Sequence, residues 1–321
     1  MPEVSVIIPC HNGFRYMKRC LEALENQTFQ NFEVVVIDDC STDDSYLQLQ
    51  RYRQHSALEI QLLQNEKNEG PGISRNKGIG AAKGDWIAFC DADDWYAVDF
   101  LEKMLQAAKE NDADLVMCDD NYAFESGKTV KRNGMDWFDS KSDKNDFLVK
   151  CKMSLCRLFV KKSLTDEQLL PDLRHGEDAV AVIKLLNRAK NITVLKEAYY
   201  NYFIRENSAS NTPDIRVYFD FRKAYDLIEE ALQGKYRTAC EYQGIVLVLY
   251  SATLCALKAG VDREIIVRAV DDFSEKYPEW TENPYLKSMD KKKRIYLKCI
   301  QYRFFIGNKL YAWLHSKLLG V

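Results

Sequence analysis

Short apolar runs alternate with amphipathic segments over the first part of the chain. Runs rich in β-branched residues predict strands at residues 4–9, 32–38, 58–63, 86–90 and 115–118. Apolar residues at helical spacing predict helices over residues 14–24, up to residue 53, over residues 72–82 and over residues 98–110. This alternation predicts an α/β fold, a mostly parallel sheet with helices on both faces and with ligands bound outside the carboxyl ends of its strands.

The alternation stops after residue 118. The following segments have the patterns of a hairpin, a mixture of helix and strand, and a β-rich segment, at residues 119–130, 145–170 and 192–204. Hairpin insertions in folds of this kind commonly shape the pocket for a second substrate. We predict that these segments complete a first domain of residues 1–212.

A helical region follows over residues 213–321. From Ile215 the spacing of apolar residues predicts four helices, with breaks at Gly234 and Gly260. The longest uncharged apolar stretch, residues 244–257, is shorter than the ~20 residues that a membrane-spanning helix needs. We therefore predict that it is a buried core helix.

The composition is that of an ordinary folded protein, with 321 residues of which 46% are hydrophobic. Ten cysteines are distributed singly without a Cys-x-x-Cys pair, so we expect neither disulfides nor a zinc site, and a reducing compartment. The start Met1-Pro2-Glu3 leads directly into a predicted strand and lacks the pattern of a secretory signal. These features predict a cytoplasmic protein, and no nucleic-acid partner is expected.

Carboxylates follow two of the predicted strands. Asp91 and Asp93 stand two positions apart, so in extended backbone both side chains would leave the same face and hold one hard cation together with phosphate oxygens. A solvated acidic turn is the alternative, and it is the commoner context of an isolated Asp-x-Asp pair. Asp38 and Asp39 end an earlier strand, where they would either bind a ligand or stabilise the start of the next helix.

Several motifs follow one another in the same part of the chain: Asn68, Gly70, Arg75-Asn76-x-Gly78, Ala81-x-x-Gly84 and Phe89-x-Asp91-x-Asp93-Asp94-Trp95. Together they resemble the nucleotide-sugar half of the family-2 glycosyltransferases. The resemblance implies a GT-A (Rossmann-like) fold and an inverting enzyme of bacterial capsular polysaccharide, exopolysaccharide or other cell-surface glycan synthesis. Because it joins separate motifs in order, it is more specific than any one of them.

The resemblance also implies roles for individual residues. Asp39 would bind the nucleoside, usually uridine, with Asp38 as the second candidate, and Asp91 and Asp93 would hold Mn²⁺ or Mg²⁺. Asp178 would be the base that deprotonates the acceptor hydroxyl, with Glu177 able to orient or replace it. From the sequence alone, this pair is equally the acidic start of an amphipathic helix. The expected donor-binding set is Pro9, His11, Asn12, Asp38, Asp39, Asn68, Gly70, Arg75, Asp91, Ala92, Asp93, Arg205 and Ser208.

Some of these residues have a second interpretation. His11 lies in a loop where the family commonly has Pro-x-Tyr-Asn, so it is either a hydrogen-bonded loop histidine or a ring that stacks on the base. Arg75 is either a surface ion pair or a cation that faces the nucleotide. The segment with Arg205 and Ser208 either closes over the donor diphosphate, as a similar Arg-x-x-Ser pattern in the family implies, or is an ordinary exposed loop.

Positive charge is concentrated near the end of the chain. Residues 287–321 contain nine Lys or Arg and one acidic residue, which gives +8, whereas the whole chain carries −3. At about 100° per residue, their apolar residues form one stripe with basic residues beside it. The stripe consists of Ile295, Cys299, Tyr302, Ile306, Leu310 and Trp313. This tail predicts either a helix that binds an anionic membrane surface or a helix docked on the core.

We therefore expect an inverting transferase that moves a hexose or N-acetylhexosamine from a UDP-sugar to a saccharide acceptor, one that is lipid-linked and extended at the cytoplasmic face of a membrane. Two alternatives stay open. A sugar-1-phosphate nucleotidyltransferase has a similar sheet, but its Gly-rich start with a following basic residue is missing between Pro9 and Arg15. The other alternative is a sugar-binding or scaffold protein that has the fold without turnover.

Overall fold

The computed structural model of this protein describes residues 1–139, 141–204 and 215–319, with side chains described up to residue 315. Its contacts divide these residues into two units. The first comprises residues 1–142 and 151–204, and the second comprises residues 143–150 and 215–319. The predicted domain boundary after residue 212 lies outside the described residues, as do the predicted site residues Arg205 and Ser208.

Strands and helices alternate at the start of the first unit as the sequence predicts. The described strands are β1 (Val4–Cys10), β2 (Phe32–Asp38), β3 (Ile60–Gln64), β4 (Trp86–Phe89), β5 (Trp95–Tyr96), β6 (Leu115–Ala123), β7 (Thr129–Lys131), β8 (Leu158–Lys161) and β9 (Ile192–Phe203). The described helices are α1 (Phe14–Glu25), α2 (Ser45–His55), α3 (Pro71–Ala81), α4 (Phe100–Glu110) and α6 (Glu177–Arg188), with α5 (Lys144–Lys150) in the second unit. Strand β6 extends into the segment expected as a hairpin, and the short β5 was not expected.

The strands form one mixed sheet in the order β3-β2-β1-β4-β8-β6-β9-β5, with β7 paired to β6. Strands β3, β2, β1 and β4 are parallel to one another, as predicted, and β9 is parallel to β6. Strand β8 lies antiparallel between β4 and β6, and the pairs β5–β9 and β6–β7 are also antiparallel. The sheet is therefore less uniformly parallel than the sequence indicates.

Both faces of the central sheet are covered. All seven residues of β2 are buried, and so are six of the seven residues of β1. Because consecutive side chains of a strand point to opposite faces, burial of neighbouring residues requires cover on both sides. The α/β fold expected from the alternation is confirmed.

The carboxyl ends of the central strands meet at one edge of the sheet. Strands β1, β2 and β4 end at Cys10, Asp38 and Phe89. Beyond these ends, the amide of Asp39 donates to the carbonyl of Cys10 at 2.7 Å, and the amide of Cys90 donates to the carbonyl of Ile7 at 3.0 Å. The loops that follow the three strands are therefore held side by side.

The second unit is helical and contains α5, α7 (Ile215–Leu232), α8 (Arg237–Lys258), α9 (Arg263–Lys276), α10 (Lys291–Gln301) and α11 (Phe305–Leu319) among its described residues. Gly234 and Gly260 adopt left-handed backbone, with φ of 75° and 70°, at the two predicted breaks. Helix α5 belongs to this unit because Leu148 is buried and its carbonyl accepts a hydrogen bond from the side chain of Gln243 at 2.5 Å. The sequence places residues 143–150 in the first domain instead.

Helix α8 is 22 residues long and is apolar enough to cross a membrane by length and composition, but 67% of its most apolar window is buried inside the protein. That burial fits the core helix predicted at residues 244–257. The C-terminal stripe, which presupposes one continuous helix, is divided between α10 and α11 because Arg303 adopts left-handed backbone with φ of 55°. The predicted four helices from Ile215 onward are therefore five among the described residues.

Helix α3 packs against the sheet at a glycine. A Cβ atom at Gly78 would lie 2.5 Å from Cγ2 of Ile7 and 2.8 Å from Cδ1 of Ile37, two fully buried side chains. By contrast, the three atoms nearest to a Cβ atom at Gly80 on the same helix all belong to the side chain of Glu167, an exposed residue whose long side chain can rotate away. Gly78 therefore allows α3 to approach β1 and β2 closely.

We expect Gly78→Ala to lower the free energy of unfolding by about 1–3 kcal/mol, because an added methyl group overpacks the core. Gly80→Ala is the matched control on the same helix. It should be neutral or stabilising by up to about 1 kcal/mol, since alanine is the better helix former and Glu167 can move. Urea denaturation of both variants makes the comparison, and equal effects at the two positions would contradict the close packing.

Candidate functional site

A cavity of 310 Å³ opens at the carboxyl edge of the sheet, within the first unit. It is lined by Pro9, Cys10, His11, Asn12, Gly13, Tyr16, Asp39, Asn68, Pro71, Asp91, Ala92, Asp93 and Arg174. Eight of the thirteen predicted donor-binding residues are in this lining. Asp38, Gly70 and Arg75 are outside it, and Arg205 and Ser208 lie outside the described residues.

Asp39 holds the loop between β3 and α3. Its Oδ1 accepts hydrogen bonds from the amide of Glu69 and from Nδ2 of Asn65, both at 2.8 Å, and its Oδ2 accepts from the amide of Gly70 at 2.7 Å. Gly70 has φ of 90°, a conformation that favours glycine. The buried Asp39 carboxylate therefore fixes one wall of the cavity.

Asp38 is fully buried and does not line the cavity. Its Oδ2 accepts hydrogen bonds from the amide of Ser41 and from Nε2 of Gln64, both at 3.1 Å. These contacts connect the end of β2 to the following loop and to β3. The structure thus separates the two neighbouring aspartates, with Asp39 at the cavity and Asp38 in the sheet.

The loop after β1 is bound to the loop after β2. Nδ1 of His11 lies 2.9 Å from the carbonyl oxygen of Asp39, and Oδ1 of Asn12 accepts a hydrogen bond from the amide of Thr42 at 2.8 Å. Asn12 adopts left-handed backbone with φ of 51°. The imidazole of His11 is therefore hydrogen-bonded in the loop and also exposed at the cavity, so both of its proposed roles are compatible with its position.

The three aspartates after β4 point to different surroundings. The amide of Asp94 donates to the carbonyl of Asp91 at 3.1 Å, which makes this segment a turn rather than the extended backbone expected from the sequence. Asp91 and Asp93 nevertheless both line the cavity, whereas Asp94 is buried and accepts hydrogen bonds from the amide of Phe203 and the hydroxyl of Tyr200. Burial raises the pKa of Asp94 well above its usual range, and the charges of Asp91 and Asp93 add to the rise.

The described residues contain no group of three or more His, Cys, Asp or Glu side chains arranged to hold a metal ion. Asp91 and Asp93 supply two carboxylates at the cavity. Hard cations such as Mg²⁺ are often bound by one or two carboxylates together with substrate phosphates. The chemistry of this pair therefore fits a cation that arrives with a diphosphate.

Arg75 lies under this edge, with only 4% of its side chain exposed, and contacts three carboxylates. Its Nη2 is 2.6 Å from Oδ1 of Asp91, and its Nη1 is 3.1 Å from Oδ1 of Asp178 and 3.6 Å from Oε1 of Glu177. We call these four residues the Arg75 cluster. Arg75 is therefore a buried ion-pair partner in this structure. It is neither at the surface nor free to face the nucleotide, the two interpretations that the sequence allows.

Glu177 and Asp178 begin α6 after Gly176, whose φ of 84° turns the chain into the helix. Burial raises the pKa of both carboxyl groups. The negative charge of Asp178 raises the pKa of Glu177 further, while the positive charge of Arg75 opposes the rise in both. The backbone amide of Leu155 also lies 3.4 Å from Oδ2 of Asp178.

Sequence reasoning missed Arg174, which lines the cavity. Its Nη1 donates to Oδ1 of Asn68 at 2.6 Å, and its Nη2 donates to the carbonyl of Asn68 at 3.0 Å. The one sequence feature that points to Arg174 is its position directly before the motif His175-Gly176-Glu177-Asp178. Asn76, by contrast, is part of a quoted motif and binds both backbone groups of Leu170, at 2.7 and 3.0 Å, thereby holding the segment before α6.

We expect Arg75→Gln to lower the free energy of unfolding by roughly 3–5 kcal/mol, the usual cost of leaving buried charges without their partner. Arg268→Gln is the control, because the ion pair of Arg268 with Glu264 is 77% and 78% exposed and such pairs contribute about 1 kcal/mol or less. Denaturant unfolding at neutral pH compares the two. Similar losses in both variants would contradict a buried Arg75 cluster.

Comparison with known proteins agrees with the fold. The family model described as Glycosyl transferase family 2 matches residues 5–166. EpsH of Bacillus subtilis (strain 168), a protein named as a putative glycosyltransferase, is 32% identical over an alignment of 219 residues that covers 64% of this chain and 62% of EpsH, so the match spans less than two thirds of that relative's length. Glycosyltransferase GlyG of Streptococcus pneumoniae is 26% identical over an alignment of 246 residues that covers 70% of this chain and 77% of GlyG.

Solved structures share the same architecture. S. aureus TarS 1-349, crystallised in complex with UDP-GlcNAc, has a TM-score of 0.74 at 23% identity, covering 99% of this chain and 92% of that one. The mannosyltransferase PcManGT from Pyrobaculum calidifontis, in complex with GDP-Man and Mn²⁺, has a TM-score of 0.54 at 19% identity, covering 98% and 87%. The fold is GT-A-like with C-terminal helices, and the chain belongs to glycosyl transferase family 2.

Proposed function

We propose that this protein is a metal-dependent, inverting glycosyltransferase. It would transfer a hexose or N-acetylhexosamine from a UDP-sugar to a saccharide acceptor during synthesis of a cell-surface polysaccharide. One observation carries the proposal: a single cavity edge holds Asp39, Asp91 and Asp93, and Arg75 connects Asp91 to the carboxylates of Glu177 and Asp178. The groups proposed to bind the diphosphate and to accept the proton are thus connected through Arg75, and the group proposed to bind the nucleotide lines the same cavity as Asp91.

The donor would lie along the cavity, with its nucleoside near Asp39 and His11. The bound UDP-GlcNAc of the TarS fragment and the bound GDP-Man of PcManGT support a nucleotide sugar as the donor class. Its diphosphate would lie toward Asp91 and Asp93. Because carboxylates and phosphates are both negative, a cation between them would be needed to offset their repulsion. Ala92 contributes only backbone and a methyl group at the same position.

Mn²⁺ or Mg²⁺ would be held by Asp91 and Asp93 together with phosphate oxygens, and would neutralise the negative charge that develops on the departing diphosphate. The Mn²⁺ in the PcManGT complex supports this assignment. Arg75 pairs with Asp91 but does not line the cavity itself, so it would orient that carboxylate rather than contact the donor. In this role Arg75 is a positioning residue.

Asp178 would take the proton from the acceptor hydroxyl as its oxygen attacks the anomeric carbon opposite the diphosphate. A single displacement of this kind inverts the configuration of that carbon. The ion pair between Arg75 and Asp178 favours the charged carboxylate, which is the form that accepts a proton. Glu177, which is 3.6 Å from the same guanidinium nitrogen, is the alternative base.

A panel of UDP-sugars, each tested with Mn²⁺ or Mg²⁺, distinguishes this function from its alternatives. Release of UDP indicates transfer to an acceptor or to water, whereas release of pyrophosphate from a sugar 1-phosphate and UTP indicates a nucleotidyltransferase. Binding of a UDP-sugar without release of either product indicates a binding protein. The proposed function requires the first result.

We further infer that the acceptor is lipid-linked and that the enzyme works at the cytoplasmic face of a membrane. The basic and apolar C-terminal helices support a membrane location. Teichoic acid and teichuronic acid proteins among the relatives, GgaB and TuaG of Bacillus subtilis, support a cell-surface product.

We expect Asp91→Asn and Asp93→Asn each to weaken metal-dependent binding of UDP and to lower turnover, because each removes a charge from the cation site. Titration of UDP with and without Mn²⁺ measures the effect. Asp166→Asn, which changes an aspartate with a 48% exposed side chain in the same unit, is the control and should behave like the parent. Equal affinity of the parent for UDP with and without metal would refute the assignment.

We expect Asp178→Asn to retain the fold and the affinity for UDP while losing transfer by about 10²-fold or more, the usual contribution of a general base. Glu177→Gln should lower the rate of transfer by a smaller factor. The rate of UDP release from a donor that the parent uses, together with circular dichroism, tests both variants. A larger loss in Glu177→Gln would exchange the two roles, and two unaffected variants would reduce the pair to a helix start.

A further inference from the structure

Exposed large hydrophobic side chains concentrate on α10, α11 and the turn between them. Of the fourteen such residues in the described part of the chain, seven lie between residues 295 and 314. They are Ile295, Tyr302, Phe304, Ile306, Leu310, Trp313 and Leu314, with exposed fractions from 45% to 76%. An exposed group of this size is typical of an interaction surface rather than of scattered surface residues.

The same two helices already have a buried face. Tyr296, Ile300 and Ala312 are buried, and the hydroxyl of Tyr296 lies 2.8 Å from Oγ1 of Thr253 on α8. Nδ2 of Asn308 donates to the carbonyl of Tyr296 at 3.0 Å, which joins α11 to α10. The helices are therefore docked on the second unit by one face, and the exposed hydrophobic residues lie on another.

Exposed basic side chains occupy the same two helices as the exposed hydrophobic residues. Lys291, Lys292, Arg294, Lys298 and Lys309 are all exposed, and none has a carboxylate within ion-pair distance among the residues that the structure describes. The acidic residue of this segment, Asp290, instead caps α10 through the amide of Lys292 at 2.8 Å. Arg303 differs, since it pairs with Asp271 at 2.6 Å.

A cavity of 210 Å³ beside α10 is lined by three basic residues of the C-terminal region, Lys287, Arg294 and Lys298. It is lined by Trp280, Thr281, Leu286, Lys287, Arg294, Leu297, Lys298 and Gln301, a set without an acidic residue. Arg294 and Lys298 stand four positions apart on one helix, where like charges repel unless an anion lies between them. Ile295 and Arg294 belong to the same helix, so the cavity and the exposed hydrophobic residues are both features of α10.

We propose that α10 and α11 form a docking surface for an anionic phospholipid bilayer and that the cavity at Arg294 and Lys298 receives a phosphate headgroup. The surface has exposed apolar side chains with long cations around them, which matches an interface whose interior is apolar and whose headgroups are negative. In a symmetric contact a second copy of this chain would set the same cations against each other, and an acidic protein would offer carboxylates but not an apolar layer for seven large hydrophobic side chains. The inference extends the proposed membrane location and does not depend on sugar transfer.

The test is sedimentation of the full chain with vesicles, without nucleotide sugar. We expect binding to phosphatidylglycerol vesicles at low ionic strength, release by salt, and at least about tenfold weaker binding to phosphatidylcholine vesicles, since screening and loss of surface charge remove the electrostatic attraction. Two double variants address the two parts of the surface. Ile306→Ser with Leu310→Ser and Arg294→Gln with Lys298→Gln should each weaken binding about tenfold.

Matched controls lie away from this surface. Leu47→Ser removes a side chain of 47% exposure on α2, and Arg268→Gln removes an exposed cation on α9, so both should bind vesicles as the parent does. Circular dichroism and UDP affinity show whether each variant is folded. If Ile306→Ser with Leu310→Ser fails to fold, Ile295→Ser with Tyr302→Ser takes its place as the variant of the exposed hydrophobic residues.

Several results would overturn the proposal. A parent that fails to sediment with phosphatidylglycerol vesicles at low salt, or that binds both lipids equally, would show that the surface is not a docking site for anionic lipid. Surface variants that bind vesicles as well as the controls do would show that these residues are not the contact. A parent that is dimeric without lipid and becomes monomeric in Ile306→Ser with Leu310→Ser would make the surface an interface between copies. Tight binding of inorganic phosphate by a protein that ignores the vesicles would assign the cavity to a soluble anion.

Discussion

The buried guanidinium of Arg75 is the contact on which the geometry of the candidate site depends. It joins Asp91, from the turn after β4, to Glu177 and Asp178, from the first turn of α6, while Arg75 itself belongs to α3. A buried charge without its partners is costly, so these three elements are stable together and unstable apart. The distance between the proposed diphosphate end of the cavity and the proposed base is thereby set by ion pairs within the folded core rather than by loop conformation.

One cation among three carboxylates leaves an excess of negative charge. Burial and mutual repulsion raise the pKa of Glu177 and Asp178, and Arg75 offsets the effect only in part. A divalent cation at Asp91 and Asp93 would supply the missing positive charge at the same edge. A cation held by Asp91 and Asp93 would thus favour the charged form of Asp178 as well as that of the departing diphosphate, so donor binding and the protonation of Asp178 would be coupled.

The parts of the fold that the sequence predicts are those in which local signals agree. Strands β1 to β4 and helices α1 to α4 each have apolar spacing, length and flanking turns that indicate one structure. Strand β8 is four residues long and its place between β4 and β6 depends on pairing with residues about 40 to 75 positions earlier, so no local pattern reveals it. The position of Asp39 at the cavity was predictable, whereas the burial of Asp38 and the three ion pairs of Arg75 arise from contacts distant in sequence.

The hydrogen bonds that Asp39 makes within the protein limit what its proposed contact with the nucleoside could be. A carboxylate has about four acceptor positions, two on each oxygen. Oδ1 uses both of its positions, for Glu69 and Asn65, and Oδ2 uses one, for Gly70. One acceptor position remains at Oδ2, and it can take a single N–H or O–H donor. A uracil ring offers such a donor at N3, whereas the same nitrogen of cytosine is an acceptor and would repel the carboxylate. Because hydrogen bonds to Asp39 hold this loop within the protein, this discrimination would require little further loss of conformational freedom.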